Sequence, residues 1–508
     1  MKKLLLAASL AASLVASLVA FAVPAFGENP PPASKEADAP VPEPTVSVTR
    51  HSGTFGGRRV AYTATAGETY LKADDGTPKA AIFSVSYVKD GPRDPNRPVT
   101  FLFNGGPGSG SLWLHMGAFG PKRVVIPGGE ALDDGAPPYP IVENANSLLD
   151  VTDLVFIDPV GTGFSHALGK TEPKEYWGVT ADAKSVARFI RLWLDRNGRW
   201  NAPKYLGGES YGTTRSAAVA HELMGSYNDV ALNGIILIST ILDFGLQSEA
   251  PGNEMAYVVN LPSMATTAFY HHKVANPPGS VEQFAQEARE FATGPYLTAL
   301  AKGNSLPAEE RAEVRRRLAR YTGLSQTYLD QANLRVSPGR FFKELLRDRG
   351  QTIGRLDTRF LGKDYDNAGE GVDNDPSFYA IDGAYTAALN AYARGDLGFS
   401  SERQYVTIGG VKDWDMKVEG ARDGDTYMTV APFIGESLRE NSGLKVFVAQ
   451  GWYDFATPFF AAEYSLNRTG IPGDRVQFHY YDAGHMMYVR DQDLAKLSGD
   501  IRAFIRSR

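Results

Sequence analysis

Ser210 sits in Gly208-Glu209-Ser210-Tyr211-Gly212, a G-x-S-x-G pattern flanked by an apolar run before it and a helix-forming stretch after it. A serine hydroxyl becomes a nucleophile when a strand-turn-helix elbow exposes it and a neighbouring base removes its proton. Glycines at 208 and 212 suit such a turn, because they leave no Cβ atoms to crowd it. The sequence places the turn over residues 207–212 and the start of the helix at Ser216. A pentapeptide this loose also recurs by chance, so the remaining parts have to be found elsewhere in the chain.

A base, an acid to orient it and donors for an oxyanion complete acyl-transfer chemistry. His485 follows the run Val476–Tyr481, and Asp454 follows the run Lys445–Ala449, giving the chain order Ser, Asp, His. The other histidines, at 51, 115, 166, 221, 271, 272 and 479, lie too early, on helices, in the middle insertion or within a strand. Asp474 and Asp482 are rival acids, but neither follows the strand at 445–449. The loop Asn104-Gly105-Gly106-Pro107-Gly108-Ser109-Gly110 has the glycine spacing of a phosphate cradle. Ser111 stands where that cradle needs lysine, so backbone donors for an oxyanion are the better use of it.

The elements that must position these groups follow from hydrophobic patterning. Short β-type runs at 46–48, 59–64 and 81–88 read as an antiparallel meander. Buried-type strands at 99–103, 153–158, 204–206 and 235–238 alternate with helical patterns at 181–194 and after the elbow, which implies a mostly parallel sheet covered on both faces. The expected fold class is an α/β-hydrolase. Its core spans 46–242 and 431–508, interrupted at 243–430 by a mainly helical cap with helices at 280–292, 307–321 and 340–349. Met1–Gly27 reads as a signal peptide and 28–45 as a proline-rich linker.

The chain has 508 residues, no cysteine and a formal charge of −6; loss of residues 1–27 removes two lysines and no acid, leaving −8. Disulfides and cysteine lipidation are excluded, and nucleic acid is a poor partner for such a charge. The expectation is a bacterial-type exported protein, periplasmic or secreted, without stable membrane association once the signal is cleaved. Its oligomeric state is open. The Asp364–Asp375 stretch reads as a solvated loop rather than a calcium site, because Ala368 replaces a ligand. Arg315-Arg316-Arg317 reads as a solvated helix face.

Together, NGGPG after a strand, DPVGTGFS at 158–165, GESYG at 208–212 and AGHM at 483–486 resemble the serine carboxypeptidase family, in family order over 99–508. The resemblance implies Ser210, Asp454 and His485 as the catalytic triad and the N–H groups of Gly106 and Tyr211 as the oxyanion hole. It further implies that Asn104 and Glu209 hold the substrate's terminal carboxylate and that Met486 lines the leaving-residue pocket. Neither metal nor cofactor is required. A glutamate facing a carboxylate must share a proton with it, which predicts activity favoured at acidic pH. The chain departs from the family at Leu102, where Trp is usual, at Ser109 for Cys and at Ala118 for Glu. These departures leave room for an esterase, amidase or acyltransferase on the same scaffold, or for a silent peptide-binding protein.

Overall fold

The computed structural model describes residues 41–126, 135–225, 230–419, 428–468 and 470–507. The expected signal peptide at 1–27 and the expected linker up to residue 40 lie outside the described residues, as does 420–427 at the end of the expected cap. The last linker residues meet the sheet: Tyr70 donates its hydroxyl to the Pro42 carbonyl at 2.9 Å, and Val41 packs beside Tyr70, Ala81 and Leu168.

Among the described residues nine strands form the main path of the central sheet: β1 (Val46–Phe55), β2 (Arg58–Lys72), β3 (Pro78–Lys89), β4 (Val99–Phe103), β5 (Asp153–Ile157), β6 (Lys204–Ser210), β7 (Gly234–Thr240), β8 (Lys445–Gly451) and β9 (Val476–Tyr481). A two-residue strand at His166–Ala167 adds to β3. The order is β1-β2-β3-β5-β4-β6-β7-β8-β9. From β5 to β9 every pairing is parallel, whereas β1, β2 and β3 form an antiparallel meander that joins the rest through an antiparallel β3–β5 pair. This is the α/β-hydrolase architecture. The meander strands run longer than their apolar runs suggest, because one face stays partly open to solvent and polar residues are tolerated there.

Side chains alternate across the sheet and build a core on each face. Ile235 and Leu237 pack with helices α1 (Val179–Asn197) and α2 (Tyr211–Met224) through Phe189, Trp193, Val219 and Leu223. Ile236 and Ile238 face the opposite layer, where Leu494, Leu497, Ile501 and Phe504 of the helix Asp491–Arg506 cover the sheet. In both layers the apolar residues recur at helical spacing, so the same stripe that specifies the helix also docks it.

Between β7 and β8 the chain leaves the sheet for a block of helices, including Met255–Tyr270, Val281–Phe291, Ala308–Thr322 and Asp382–Arg394, with one small hairpin at 352–362. The block has its own core around Phe284, Phe291, Leu318 and Tyr321, and Phe455 from the loop after β8 belongs to it. In the Asp364 loop the Lys343 ammonium lies 2.5 Å from Asp364 and donates to the Asp366 carbonyl, so an amine occupies the centre of that acidic cluster. Among the described residues no helix is long and apolar enough to cross a membrane, and no group of three or more metal-ligating side chains converges.

Candidate active site

Strand β6 continues through Ser210, and α2 starts at Tyr211, so the reversal is concentrated at one residue rather than spread over 207–212 with a helix from 216. Ser210 carries φ 60° and ψ −129°, a conformation that costs a non-glycine residue on the order of 1–3 kcal/mol and persists only where the surroundings enforce it. The neighbouring glycines provide that enforcement. A Cβ on Gly208 would lie 2.0 Å from the Gly212 carbonyl oxygen, and one on Gly212 would lie 2.7 Å from the Phe103 carbonyl oxygen. Gly105 is equally constrained, 2.4 Å from the Tyr211 nitrogen, so the loop after β4 is pressed against the start of α2. Behind it, Arg215 is fully buried, pairs with Asp182 at 2.6 Å and donates to the Asn104 carbonyl.

Asp454 and His485 come from the loops that follow β8 and β9, and the structure brings them together: His485 Nδ1 lies 2.8 Å from Asp454 Oδ2. The carboxylate can only accept there, so Nδ1 carries the proton and Nε2 remains an acceptor. Thr457 fixes the acid, donating its N–H to Oδ1 at 2.9 Å and its hydroxyl to Oδ2 at 2.6 Å. Burial disfavours the imidazolium, but the Asp454 carboxylate outweighs it, with a smaller contribution from Glu209, and His485 is raised above its ordinary value. Arg355 opposes the rise.

Sequence reading missed the groups that hold the histidine loop. The His485 N–H donates to the Leu356 carbonyl at 2.7 Å, and Gly484 N–H donates to Asp357 Oδ2 at 3.0 Å. Arg359 pairs with Asp357 at 2.7 Å and reaches the Asp482 carbonyl at 2.7 Å. Phe455 N–H donates to the Arg355 carbonyl and Thr358 N–H to the Tyr453 carbonyl, so one segment of the insertion fastens both the acid loop and the base loop. Ser239, at the end of β7, donates to the His485 carbonyl from a left-handed φ of 52°. Nothing in local sequence marks these residues; the Asp357–Gly484 bond spans 127 positions.

Ser210 and His485 line one cleft of about 370 Å³ together with Asn104, Gly105, Gly106, Trp113, Glu209, Leu356, Phe378, Ile408 and Met486. Gly106, at φ 104°, stands in its wall, and the Tyr211 N–H is the first of α2, where helix N–H groups have no internal partner. Asn104 is placed by the Leu114 N–H, which donates to its Oδ1 at 3.0 Å, and it presents its amide to Glu209 Oε1 at 3.0 Å. Burial raises the Glu209 carboxyl from 4.5 to about 7, against the opposing pull of His485. Its second oxygen has no hydrogen-bond partner, and the buried Tyr488 hydroxyl nearby also lacks one of ordinary geometry. Leu102 and Ala118, the departures noted above, are buried in apolar surroundings and contribute nothing polar to the cleft.

Residues 67–314 match the sequence profile of the serine carboxypeptidase family. Just under half of the chain therefore resembles the serine carboxypeptidases, on an α/β-hydrolase fold. The matched segment contains Asn104, Gly106, Glu209, Ser210 and Tyr211; Asp454, His485 and Met486 lie beyond it, and the fold alone brings His485 and Met486 to the cleft and Asp454 to His485. Serine carboxypeptidase-like 36 of Arabidopsis thaliana is 30% identical over 155 residues, and the match spans 30% of the length of each protein. Among solved structures the chain is similar to VinJ, with 14% identity, a TM-score of 0.35 and coverage of 87% of this chain and 98% of that one. It is also similar to a proline iminopeptidase of Mycobacterium smegmatis, with 13% identity, a TM-score of 0.34 and coverage of 90% and 98%.

Proposed function

We propose that the chain is a serine-type carboxypeptidase that releases C-terminal residues from peptides through an acyl-enzyme and works best at acidic pH. The observation that carries this reading is the buried Asn104–Glu209 pair at 3.0 Å, with Glu209 next in sequence to the serine and both residues in the same cleft. Ser210 attacks the carbonyl of the last peptide bond while His485 Nε2 accepts its proton, and Asp454 holds the imidazole and stabilises the imidazolium. Gly106 N–H and Tyr211 N–H stabilise the oxyanion. The imidazolium then protonates the departing amine, and water enters by the same route in reverse. A protonated Glu209 donates to the terminal carboxylate, while an ionised one repels it, so binding of free-acid peptides weakens as pH rises through about 7. The N-terminal pattern of Met1–Gly27 supports export, with peptides outside the cytoplasm as substrates.

The apolar surroundings of Leu102 and Ala118 favour a second reading, an esterase or acyltransferase that does not read a carboxylate. The two separate in one experiment: an N-blocked dipeptide acid is incubated with the chain and with Ser210→Ala, in the presence of an amino acid amide as a competing nucleophile. Release of the C-terminal residue and capture of the acyl group by the amide, both abolished in Ser210→Ala, support the carboxypeptidase. Ser210-dependent hydrolysis of simple esters, with the dipeptide acid untouched, refutes it.

A further inference from the structure

Trp113 is only 6% exposed, and its indole N–H has no hydrogen-bond partner. An indole N–H can only donate, and a buried donor left unpaired costs about 1–3 kcal/mol, so its place needs a reason. Trp113 lines the cleft alongside Asn104 and Glu209. Trp113 also precedes Leu114, whose N–H fastens the Asn104 side chain at 3.0 Å. Two residues of the cleft lining therefore each carry a buried polar atom without a partner: Trp113 at Nε1 and Glu209 at Oε2. With Glu209 protonated, both are donors. A carboxylate offers two acceptor oxygens and no hydrogen, which matches such a pair; a carboxamide presents an NH2 group that one of the donors must face.

We propose that the Trp113 indole N–H is a ligand for the substrate's terminal carboxylate and supplies the donor that Leu102 cannot. The proposal rests on the carboxypeptidase reading and adds a residue that determines the preference for acid over amide. One carboxylate oxygen shares the Glu209 proton, and the other accepts from Nε1. The carboxylate itself makes and breaks no bond in the reaction, so Trp113 acts on binding and on selectivity.

The test uses Trp113→Phe, which keeps an aromatic ring and removes the N–H. The ratio of kcat/KM for an N-blocked dipeptide acid to that for its amide, at about pH 5, is expected to fall about tenfold, mainly through KM. An unchanged ratio overturns the proposal. A second measurement does not depend on folding of the variant. In Ser210→Ala carrying 15N-labelled tryptophan, one of the six indole N–H resonances should move downfield on adding the dipeptide acid and not on adding the amide. If no indole resonance distinguishes the two ligands, Trp113 is not the donor. The two levels of the argument fail differently: a wild-type chain with no acid preference at any pH sinks the carboxypeptidase reading itself. A Glu209-dependent preference that survives in Trp113→Phe sinks only the role of the indole.

Discussion

Replacing Glu209 with Gln removes a buried carboxyl whose ionisation the fold opposes, and the size of the effect follows from its displacement. Moving the group from 4.5 to about 7 costs its ionised form about 3 kcal/mol in the folded state relative to the unfolded chain. The sign is fixed by the direction. Below about pH 4 the carboxyl is protonated in both states and imposes no penalty. As pH rises through about 7 the penalty becomes complete, so this group's relative contribution to stability is lost. Glutamine keeps an oxygen for the Asn104 amide, which now donates to Glu209 Oε1 at 3.0 Å, and carries no charge. The stability of Glu209→Gln relative to the wild type should therefore improve by about 3 kcal/mol between about pH 4 and about pH 8. Urea unfolding of both proteins across that range, followed by tryptophan fluorescence, reads the difference through the midpoints. A difference that stays constant with pH would refute the claim that burial holds this carboxyl neutral.

Where Glu209 is ionised, near and above about pH 7, it helps raise His485, so the acidic limb of fluorophosphonate labelling of Ser210 should move to lower pH in Glu209→Gln than in the wild type; an acidic limb in the same place contradicts that coupling. Thr457→Val takes the hydroxyl donor from Asp454 while the backbone N–H bond stays, and should slow labelling about tenfold with little change in far-UV circular dichroism. Asp357→Ala takes the carboxylate partner from the buried Arg359 guanidinium and the acceptor from Gly484 N–H, at a cost of about 3–5 kcal/mol in thermal or urea unfolding. A near-wild-type midpoint would show that the insertion does not anchor the histidine loop. Gly208→Ala drives a Cβ to 2.0 Å from a carbonyl oxygen and should yield no soluble folded protein on expression and size-exclusion chromatography.

Much of the sheet was legible because its strands are continuous apolar runs, which need no tertiary information to recognise; 99–103 and 476–481 match the observed bounds. The elbow was legible as a motif but not in its geometry. Glycine-rich sequence suggests a broad turn, whereas pairing of β6 between β4 and β7 keeps Gly207 and Gly208 extended and leaves the whole reversal to Ser210. Chain order singles out Ser210, Asp454 and His485 as candidates, and the structure sets Asp454 and His485 2.8 Å apart. The supports of the site were illegible for a physical reason. Asp357, Arg359 and Ser239 act through backbone groups far along the chain, and a bond to a backbone N–H or carbonyl leaves no pattern in the partner's side chain. Trp113 reads locally as one more apolar residue between Leu112 and Leu114; only its unpaired N–H in the folded chain distinguishes it.

The most direct test of the central claim is the pH dependence of kcat/KM for an N-blocked dipeptide acid and its C-terminal amide, from about pH 4 to about pH 8, with Ser210→Ala as the blank. The account predicts that the acid is cleaved better at low pH and that its advantage over the amide disappears as pH rises through about 7, where Glu209 ionises. Parallel profiles for the two substrates, with no acid preference anywhere in the range, would contradict it.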